Sequence, residues 1–369
     1  MEYEIDFLPV GDGSKSGDAI CLRYSYDDGE TWHVGIIDGG TQDAGENLCK
    51  HIEEYYKTKV VDFMICTHPD QDHASGLSAI LDNMTVNKIL MHCPWDYVDY
   101  FFDAVNDGRV TKQSLRQKLI DGHPYAYKVY EKAIEKKIPI HHPFSDGNDH
   151  GVPALNIVGP TGDFYLKQVV NFRSITDVTE SSDDVSGLLK GLLEAAKRAV
   201  NWISESWDDE KLVDPADDAT SSENSSSVIS FFDFDGKKVL FTSDAGVLAL
   251  EAAATSIEQL GHELQSFSFV QVPHHGSKRN IGPSVLNRLV GTPRLIGSET
   301  TFTAFISAAK EGEPKHPNKR VVNAFKRRGA KVIATQGSTK SHFTSGTPDR
   351  GWSKAEPLPF YTEVEEDDD

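Results

Sequence analysis

The chain has 369 residues, of which 38% are hydrophobic and 25% are charged. This composition is typical of a globular protein with a sizeable core, and it excludes an intrinsically disordered chain. The formal charge of −20 argues against general affinity for nucleic acid, so any nucleic acid must contact a local basic patch. No apolar segment reaches the roughly 20 residues of a membrane helix, and the start lacks a signal-peptide pattern. We therefore expect a cytoplasmic protein that does not enter a membrane.

The chain begins with a β-rich segment. Runs of β-branched and aromatic residues predict strands at 3–10, 18–26 and 31–38. A continuous apolar run then predicts a buried strand at 60–67, followed by a helix at 75–84 and a strand at 88–94. Strand, helix and strand in this order indicate a parallel pair joined by a crossover. The four cysteines form no CxxC pair and are expected to be buried thiols: Cys21, Cys49, Cys66 and Cys93.

A second β-rich half follows two predicted helical insertions, at about 95–150 and 163–222. The second insertion contains a predicted helix at 186–207, bounded by acidic, Ser-rich linkers. The remaining predicted elements are a strand at 154–160, a hairpin at 228–244 over an Asp-Gly turn, a helix at 247–261, a strand at 266–273, a helix at 320–329 and a strand at 330–335. We expect residues 1–360 to form a single domain and residues 361–369 to form an acidic, disordered tail.

The segment THPDQDHASG, at 67–76, places four metal-ligand side chains within six positions, directly after a predicted buried strand: His68, Asp70, Asp72 and His73. In an extended segment alternate side chains point the same way, so His68 and Asp70 can converge on one point. A following turn would send Asp72 and His73 to a second point. Two metal ions roughly 3.5 to 4 Å apart form a common hydrolytic device. The alternative is a polar loop in which these residues cap the next helix.

Two further predicted strands end in ligand-type residues. VLFTSDAG, at 239–246, brings Asp244 to a strand end, although an aspartate there is by itself more typical of a helix N-cap. VQVPHHGSKRN, at 270–280, ends its strand in His274 and His275. Each segment alone could be an ordinary polar terminus. Three such strand ends in one chain indicate a metal site.

The order HxDxDH, SDA and HHGS resembles the metallo-β-lactamase superfamily and, within it, the hydrolase domain of the competence protein ComEC. The segments VGDGSKSGDAICLRY, IIDGG, ENSSSV and KHPNKRVVNAFKRRGAKVIATQGS follow the same pattern in the same order. The resemblance covers nearly the whole chain apart from the helical insertions and the tail. It implies an α/β fold, an αββα sandwich with helical insertions and a dinuclear metal site at one edge.

The resemblance also implies one set of metal ligands: His68 and Asp70 for one ion, Asp72 and His73 for the other, Asp244 between them, and His274 with His275 behind it. Asp38 would be a structural aspartate beside the site. An aspartate at 70, where the superfamily more commonly has histidine, makes the site harder and favours Mn²⁺ or Mg²⁺ relative to Zn²⁺. The expected cofactors are two divalent ions, Mn²⁺ or Zn²⁺ first and Mg²⁺ as a further candidate.

One expected histidine is missing. Many members of the superfamily supply another histidine between the first motif and the bridging aspartate, whereas ENSSSV fills that place here. A site with one metal ion therefore stays open.

The expected reaction is hydrolysis by a metal-activated water, which Asp72 or Asp244 would orient. His275 and His316 are the candidate acids that protonate the leaving oxygen, although His316 could equally be an ordinary loop histidine. The residues expected to bind substrate are Ser277, Lys278 and Asn224.

The metal motif alone does not choose the substrate. Basic residues at 278–279 and in the stretch 315–331 would suit a phosphate backbone if they face the metal edge. The alternative is a basic helix face that pairs with acidic neighbours. We favour a phosphodiesterase or nuclease acting on nucleic acid, within a multi-protein defence or DNA-processing system. The other hypotheses are a hydrolase of small esters, lactones or thioesters, and a subunit that is inactive until a protein partner binds the helical insertions or the acidic tail.

Overall fold

The computed structural model describes residues 1–11, 15–27, 29–105, 110–147, 150–176, 201–310, 312 and 316–366. Its strands are β1 (Glu2–Phe7), β2 (Ala19–Ser25), β3 (His33–Gly39), β4 (Val60–Val61), β5 (Phe63–Cys66), β6 (Thr85–Val86), β7 (Ile89–Met91), β8 (Ile140–His141), β9 (Leu155–Gly159), β10 (Trp202–Ser204), β11 (Ile229–Phe234), β12 (Lys237–Phe241), β13 (Phe267–Gln271), β14 (Phe302–Ile306), β15 (Ala330–Ala334), β16 (Lys340–Phe343) and β17 (Glu363–Glu365). Its α-helices are α1 (Gln42–His51), α2 (Gln71–Ala74), α3 (Leu77–Asn83), α4 (Val98–Val105), α5 (Lys112–Gly122), α6 (Pro124–Lys136), α7 (Gly162–Val169), α8 (Arg173–Thr176), α9 (Ser222–Ser225), α10 (Val247–Gln259), α11 (Pro283–Val290) and α12 (Lys319–Arg327). A π-helical turn, Ile52–Tyr56, continues α1, and short 3-10 turns form at Pro94–Asp96 and Pro273–Gly276.

The first sheet has the strand order β16-β1-β2-β3-β5-β7-β8. The strands from β16 to β3 pair antiparallel, and those from β3 to β8 pair parallel. The β-rich opening of the sequence is therefore the antiparallel half. The predicted strand, helix and strand at 60–94 are confirmed as the parallel neighbours β5 and β7, with α2 and α3 between them.

The second sheet has the order β15-β14-β13-β12-β11-β9. The strands β12 to β15 are parallel, whereas β11 pairs antiparallel with both β12 and β9. Asp235 and Gly236 join β11 to β12 with positive φ angles of 56° and 82°. Two adjacent left-handed residues match the twist of a tight hairpin, and the predicted hairpin is confirmed.

The two sheets pack face to face over an aromatic core. Side chains from both sheets meet there, among them Phe7, Phe241, Phe269 and Phe305. A second cluster of buried side chains lies between the first sheet and helices α1, α3, α5 and α6. A third lies between the second sheet and helices α10, α11 and α12. The four layers form an αββα sandwich, which confirms the fold class expected from the sequence.

The predicted insertions contribute helices and two short strands, β8 and β10. The first forms α4, α5 and α6, which bury Leu115, Leu119 and Val129 against the first sheet. The second begins with α7 and α8, and residues 177–200 lie outside the described part of the chain. The prediction of a helix through 207 is wrong at its end, because Trp202–Ser204 forms strand β10. Whether 186–200 is helical stays a prediction.

The chain end is also more ordered than predicted. Strand β17, at Glu363–Glu365, pairs antiparallel with β10, and Val364 is fully buried. The carboxylate of Glu365 accepts the backbone N–H of Lys319 at the start of α12, at 3.1 Å. The disordered tail is therefore wrong for these residues, because an apolar side chain and a helix-capping carboxylate fix the segment to the fold.

The basic stretch of α12 pairs within the fold. Arg320, Arg327 and Arg328 are buried, and their guanidinium groups meet the segment that follows β10. Arg327 forms an ion pair with Glu205, and Arg328 with Glu210. These ion pairs match the alternative hypothesis, in which the basic face of the helix pairs with acidic neighbours.

Two simpler expectations concern the cysteines and the membrane. All four cysteines are buried and free, as predicted. In the described ranges, no helix combines the length and the apolar character needed to cross a membrane.

Removing two methyl groups at Val364 tests whether the chain end packs onto the fold. We expect Val364→Ala to lower the free energy of unfolding by about 2 kcal/mol, because it empties a fully buried site. The exposed neighbour Thr362 provides the control, since Thr362→Ala should change stability by less than about 0.5 kcal/mol. Urea unfolding of both variants measures the difference, and equal stability would contradict the packing of β17.

Candidate metal centre

Strand ends from both sheets meet at one edge of the sandwich. Asp38 lies at the end of β3, His68 follows β5, Asp244 follows β12, and His274 follows β13. Close backbone packing brings the first two segments together: a Cβ on Gly76 would lie only 2.0 Å from the Gly39 carbonyl oxygen. Helix α2 can therefore lie directly on the loop after β3, which places His73 beside Asp38.

One carboxylate oxygen is the centre of the cluster. Asp244 is buried, and its Oδ2 atom faces the Nε2 atoms of four histidines. The distances are 3.4 Å to His73, 3.5 Å to His274, 3.8 Å to His68 and 3.9 Å to His275. Four imidazoles around one carboxylate, drawn from three strand ends, give a compact set of metal-ligand atoms.

Hydrogen bonds on the far side of each ring set the orientation of His73 and His274. His73 Nδ1 lies 2.8 Å from Asp38 Oδ2, and His274 Nδ1 lies 2.8 Å from Asn280 Oδ1. The Asn280 amide nitrogen donates to the Asp244 carbonyl oxygen, so Asn280 Oδ1 is the acceptor that faces His274. Both Nδ1 atoms therefore carry the proton, which leaves each Nε2 lone pair directed at the centre.

His68 is oriented in the same way. Thr67 Oγ1 donates to Asp38 Oδ2 at 2.6 Å and lies 3.1 Å from His68 Nδ1, so it can accept the imidazole N–H. Asp38 thus contacts two histidines of the cluster, His73 directly and His68 through Thr67. The sequence predicts a structural aspartate beside the site at this position.

The backbone is strained at the site. Asp38, Ser243, His274 and His275 have positive φ angles of 58°, 47°, 45° and 57°. Residues other than glycine rarely adopt this left-handed backbone conformation, which costs about 1 to 3 kcal/mol of conformational free energy per residue. Such strained residues cluster at functional sites. The His274 N–H donates to the Ser243 carbonyl at 3.0 Å, which ties the ends of β12 and β13 together.

Charge and burial shift the pKa values of the cluster in opposite directions. Burial alone would raise the pKa of Asp244, but the imidazoles of His274, His73 and His275 hold it well below its usual value. Burial opposes protonation of His73, yet the carboxylates of Asp244 and Asp38 raise its pKa well above the usual value. Burial lowers the pKa of His275 to about 4. Without a bound cation, the cluster therefore stabilises Asp244 with a protonated His73.

The second neighbour of His73 is Asp18, which precedes β2. Asp18 Oδ2 lies 3.7 Å from His73 Nδ1. The same oxygen accepts a hydrogen bond from the side-chain amide of Gln271 at 2.8 Å. Burial raises the pKa of Asp18 to about 7, although the nearby His73 opposes the rise. Asp18 therefore adds a carboxyl group to the buried side of the centre.

Several buried polar atoms at the centre lack a hydrogen-bond partner among the described residues: His68 Nε2, His73 Nε2, His275 Nε2 and Asp244 Oδ1. Leaving such atoms unsatisfied is costly. The side chains of Asp72, His73 and His275 can share one ion, as can those of Asp244, His274 and His275. Imidazole nitrogens with carboxylate oxygens suit Zn²⁺ and Mn²⁺, so the residues present fit a divalent metal ion.

The predicted first ligand pair is not assembled. Asp70 turns away from Asp244 and contacts Arg173, whose Nη2 lies 3.0 Å from Asp70 Oδ1. Asp72 does reach the cluster, with Oδ2 at 3.9 Å from His275 Nε2 and a side chain that is 42% exposed. Of the four predicted ligands in the segment 68–73, three converge on the cluster around Asp244, and Asp70 does not: the three are His68, Asp72 and His73.

The two neighbouring histidines share the site. The sequence favours His274 as the ligand and places His275 behind it, but both Nε2 atoms approach Asp244 Oδ2. His275 is the more buried and also approaches Asp72. The geometry gives His275 a ligand position equal to that of His274.

The structure places the remaining predicted catalytic and substrate residues at different distances from the cluster. The His316 ring lies 5.6 Å from His274 and 6.0 Å from His275, between ring centroids. Asn224 Nδ2 lies 3.4 Å from Asp244 Oδ2. Ser277 is buried and accepts the backbone N–H of Arg279 at 3.2 Å. Its neighbour in sequence, Lys278, borders a small cavity of about 120 Å³.

Sequence reasoning missed Asp18, Thr67, Asn280 and Arg173. The first two lie inside segments that the sequence singled out, VGDGSKSGDAICLRY and THPDQDHASG, and their proximity to strand ends was the available signal. Asn280 lies six residues after His274 in a loop with no pattern that would distinguish it. Arg173 is 103 positions from Asp70, so only the folded chain brings them together.

No protein-family model and no curated protein matches the sequence. Among solved structures, the chain is similar to a diphosphatase of the PhnP family, with 9% identity, a TM-score of 0.37, and coverage of 99% of this chain and 97% of that one. It is also similar to Zn²⁺-bound PqqB from Methylobacterium extorquens, with 11% identity, a TM-score of 0.38, and coverage of 91% and 99%. Values this low carry no information about activity.

Asn280 provides a test of the ring orientation. We expect Asn280→Ala to weaken metal binding about 10- to 100-fold, because His274 loses the acceptor that fixes its tautomer. Titration against a chromophoric chelator measures the affinity, and the exposed Asn83 provides the matched control Asn83→Ala. Unchanged affinity in Asn280→Ala, with unfolding like that of the control, would show that His274 is not a ligand.

Proposed function

We propose that this chain is a metal-dependent hydrolase of the metallo-β-lactamase type, and that it is a phosphodiesterase acting on nucleic acid. The observation that carries the proposal is the convergence of four imidazole Nε2 atoms on Asp244 Oδ2 at the meeting edge of the two sheets. The order of the motifs HxDxDH, SDA and HHGS along the chain supports the same assignment.

The protein residues would divide the work as follows. The ligand positions belong to Asp72, His73, His274, His275 and Asp244, with His68 facing the same carboxylate. A divalent ion held there would supply a Lewis acid for the phosphoryl group and lower the pKa of water. Asp72 is part exposed, so the carboxylate oxygen that does not face the ion can accept a proton from the attacking water. The imidazole of His316, at the rim, is the candidate donor to the leaving oxygen.

A groove that is lined by none of the metal-centre side chains supports a phosphate-bearing substrate. It has a volume of about 890 Å³ and lies between β14 and β15 of one sheet and β16 of the other. Its lining includes the basic side chains of Lys331, Lys340 and Lys354, the aromatic rings of Phe343 and Trp352, and the acidic side chains of Glu4, Asp349 and Glu356. Lysines together with aromatic rings suit a nucleic acid strand.

The lysines of the groove are not neutralised within the fold. Among the described residues, no carboxylate lies within 4.0 Å of their ammonium groups, although the chain as a whole is strongly acidic. Burial and the neighbouring Lys354 lower the pKa of Lys331, which Glu356 only partly opposes. An anionic ligand would relieve the repulsion, whereas the buried arginines of α12 are already paired.

The metal requirement can be tested on metal-stripped protein. We expect cleavage of single-stranded DNA, duplex DNA or RNA to return when Mn²⁺, Zn²⁺ or Mg²⁺ is restored singly. Asp72→Ala should lower the rate about 100-fold or more, because it removes a ligand and proton acceptor. Asp163→Ala, an exposed aspartate on α7, is the matched control and should retain full activity.

Each outcome of this assay points to one hypothesis. Cleavage that is independent of metal, or equal in Asp72→Ala and Asp163→Ala, would refute the proposed centre. Bound metal without cleavage of any nucleic acid would favour a hydrolase of small esters, lactones or thioesters, or a subunit that requires a protein partner. Addition of small ester substrates, and of a co-purified partner, separates these two.

The groove makes a separate prediction about binding. We expect Lys331→Glu and Lys354→Glu each to weaken binding of single-stranded DNA and to reduce the slope of log affinity against log salt by about one. The exposed Lys237, on the hairpin, provides the control Lys237→Glu, which should bind like the unchanged protein. Fluorescence anisotropy with metal-stripped protein measures the affinity. Equal salt dependence in all four proteins would exclude the groove as the binding surface.

A further inference from the structure

An arginine of the second insertion holds Asp70 away from the cluster. The Asp70 carboxylate oxygens lie 3.0 and 3.1 Å from Arg173 Nη2. Among the described residues, Asp70 belongs to none of the groups of three side chains whose ligand atoms lie within 4.8 Å of one another. The chain turns into α2 directly after Asp70, so the alternation that would align it with His68 is interrupted.

Arg173 is itself fixed by a buried carboxylate. Glu223 Oε1 accepts both the backbone N–H of Arg173, at 2.7 Å, and its Nε–H, at 3.1 Å. Glu223 is 1% exposed, and a carboxylate buried without a cation costs several kcal/mol. Arg173 therefore cannot leave Asp70 freely, because the same guanidinium compensates Glu223.

The space beside His68 offers few other ligands. Asn224, next to Glu223, directs its amide nitrogen at Asp244 Oδ2, 3.4 Å away. In this orientation the amide presents its NH₂ donor to Asp244, and the Asn224 Oδ1 atom, buried without a hydrogen-bond partner among the described residues, would have to exchange places with it to bind a cation. His68 groups only with Asp38 and His73 among the described residues, and Asp38 already holds the His73 Nδ1–H. The position expected for a first metal ion is therefore incomplete.

The other side of Asp244 is complete. Asp72, His73 and His275 can share one ion, and Asp244 Oδ2 lies 3.4 Å from His73 Nε2 and 3.9 Å from His275 Nε2. His73 and His275 approach both carboxylates, so two imidazoles and two carboxylates border the same space. This is the number of ligands that a single tetrahedral site needs.

We propose that Arg173 takes the place of a second metal ion. The centre then binds one divalent ion, at Asp72, His73, His275 and Asp244 with His274 as a further ligand, and the guanidinium provides the positive charge beside Asp70. The Arg173 side chain is 61% exposed and its Nη1 donates to none of the described residues, so it can also donate to an anionic oxygen of the substrate. This inference rests on the proposed metal centre and deepens it.

Metal stoichiometry tests the inference without an activity assay. Metal-stripped protein is titrated with Mn²⁺ and, separately, Zn²⁺ by calorimetry, and bound metal is counted by mass spectrometry after dialysis. We expect one ion per unchanged chain. In Arg173→Ala combined with Glu223→Gln, which leaves no buried charge unpaired, a second and weaker ion should bind because Asp70 is released. Lys167→Ala, an exposed cation on α7, is the control and should bind one ion.

The results separate this inference from the proposed function. Two ions in the unchanged protein would overturn the role of Arg173 and leave the hydrolase proposal intact. One ion in the Arg173→Ala, Glu223→Gln variant would also overturn it, provided that the variant unfolds cooperatively like the control. No ion in any of the proteins would overturn both proposals.

Asp70→Asn provides a second, independent test. In the otherwise unchanged protein, Asp70→Asn should leave one bound ion. The affinity for that ion should fall by less than about 10-fold, which is the smallest loss expected when a residue that supports a ligand is removed. In the Arg173→Ala, Glu223→Gln background it should abolish the second ion. If Asp70→Asn alone abolished binding of the first ion, Asp70 would be a ligand and the inference would be wrong.

Discussion

The rest of the centre depends on the burial of the Asp244 carboxylate among four imidazoles. A carboxylate in a low-dielectric interior is costly unless charge or hydrogen bonds compensate it, and Asp244 Oδ1 has no partner among the described residues. Each sheet supplies part of the compensation, the first through His68 and His73 and the second through His274 and His275. The two sheets must therefore end at the same edge, within a few ångströms of one another.

The surrounding hydrogen bonds turn this proximity into a defined geometry. Asp38 and Asn280 hold the Nδ1 sides of His73 and His274, so that both Nε2 atoms face inward. The strained backbone at His274 and His275 is kept in place by the bond between the ends of β12 and β13. Rings fixed in this way lose little entropy when they bind a cation, which is the purpose of such supporting residues in metal sites.

The sequence allowed the layers and most of the centre to be predicted because their signals are local. An apolar run followed by HxDxDH identifies β5 and its ligands, and Asp235-Gly236 identifies the hairpin. The orientation of Asp70 could not be predicted, since it depends on Arg173 and on the buried Glu223, far along the chain. The sequence likewise could not show whether the basic stretch of α12 is free to bind a ligand. Its carboxylate partners, Glu205 and Glu210, lie more than 100 positions away, after β10.

The most direct measurement is an anomalous-difference map of crystals grown with Mn²⁺, recorded at a wavelength where manganese scatters anomalously. The account predicts a peak within coordination distance of Asp244 Oδ2 and of the Nε2 atoms of His73 and His275. No peak at this edge, in crystals whose protein contains stoichiometric manganese, or a peak elsewhere in the molecule, would contradict the claim that these strand ends form the metal centre.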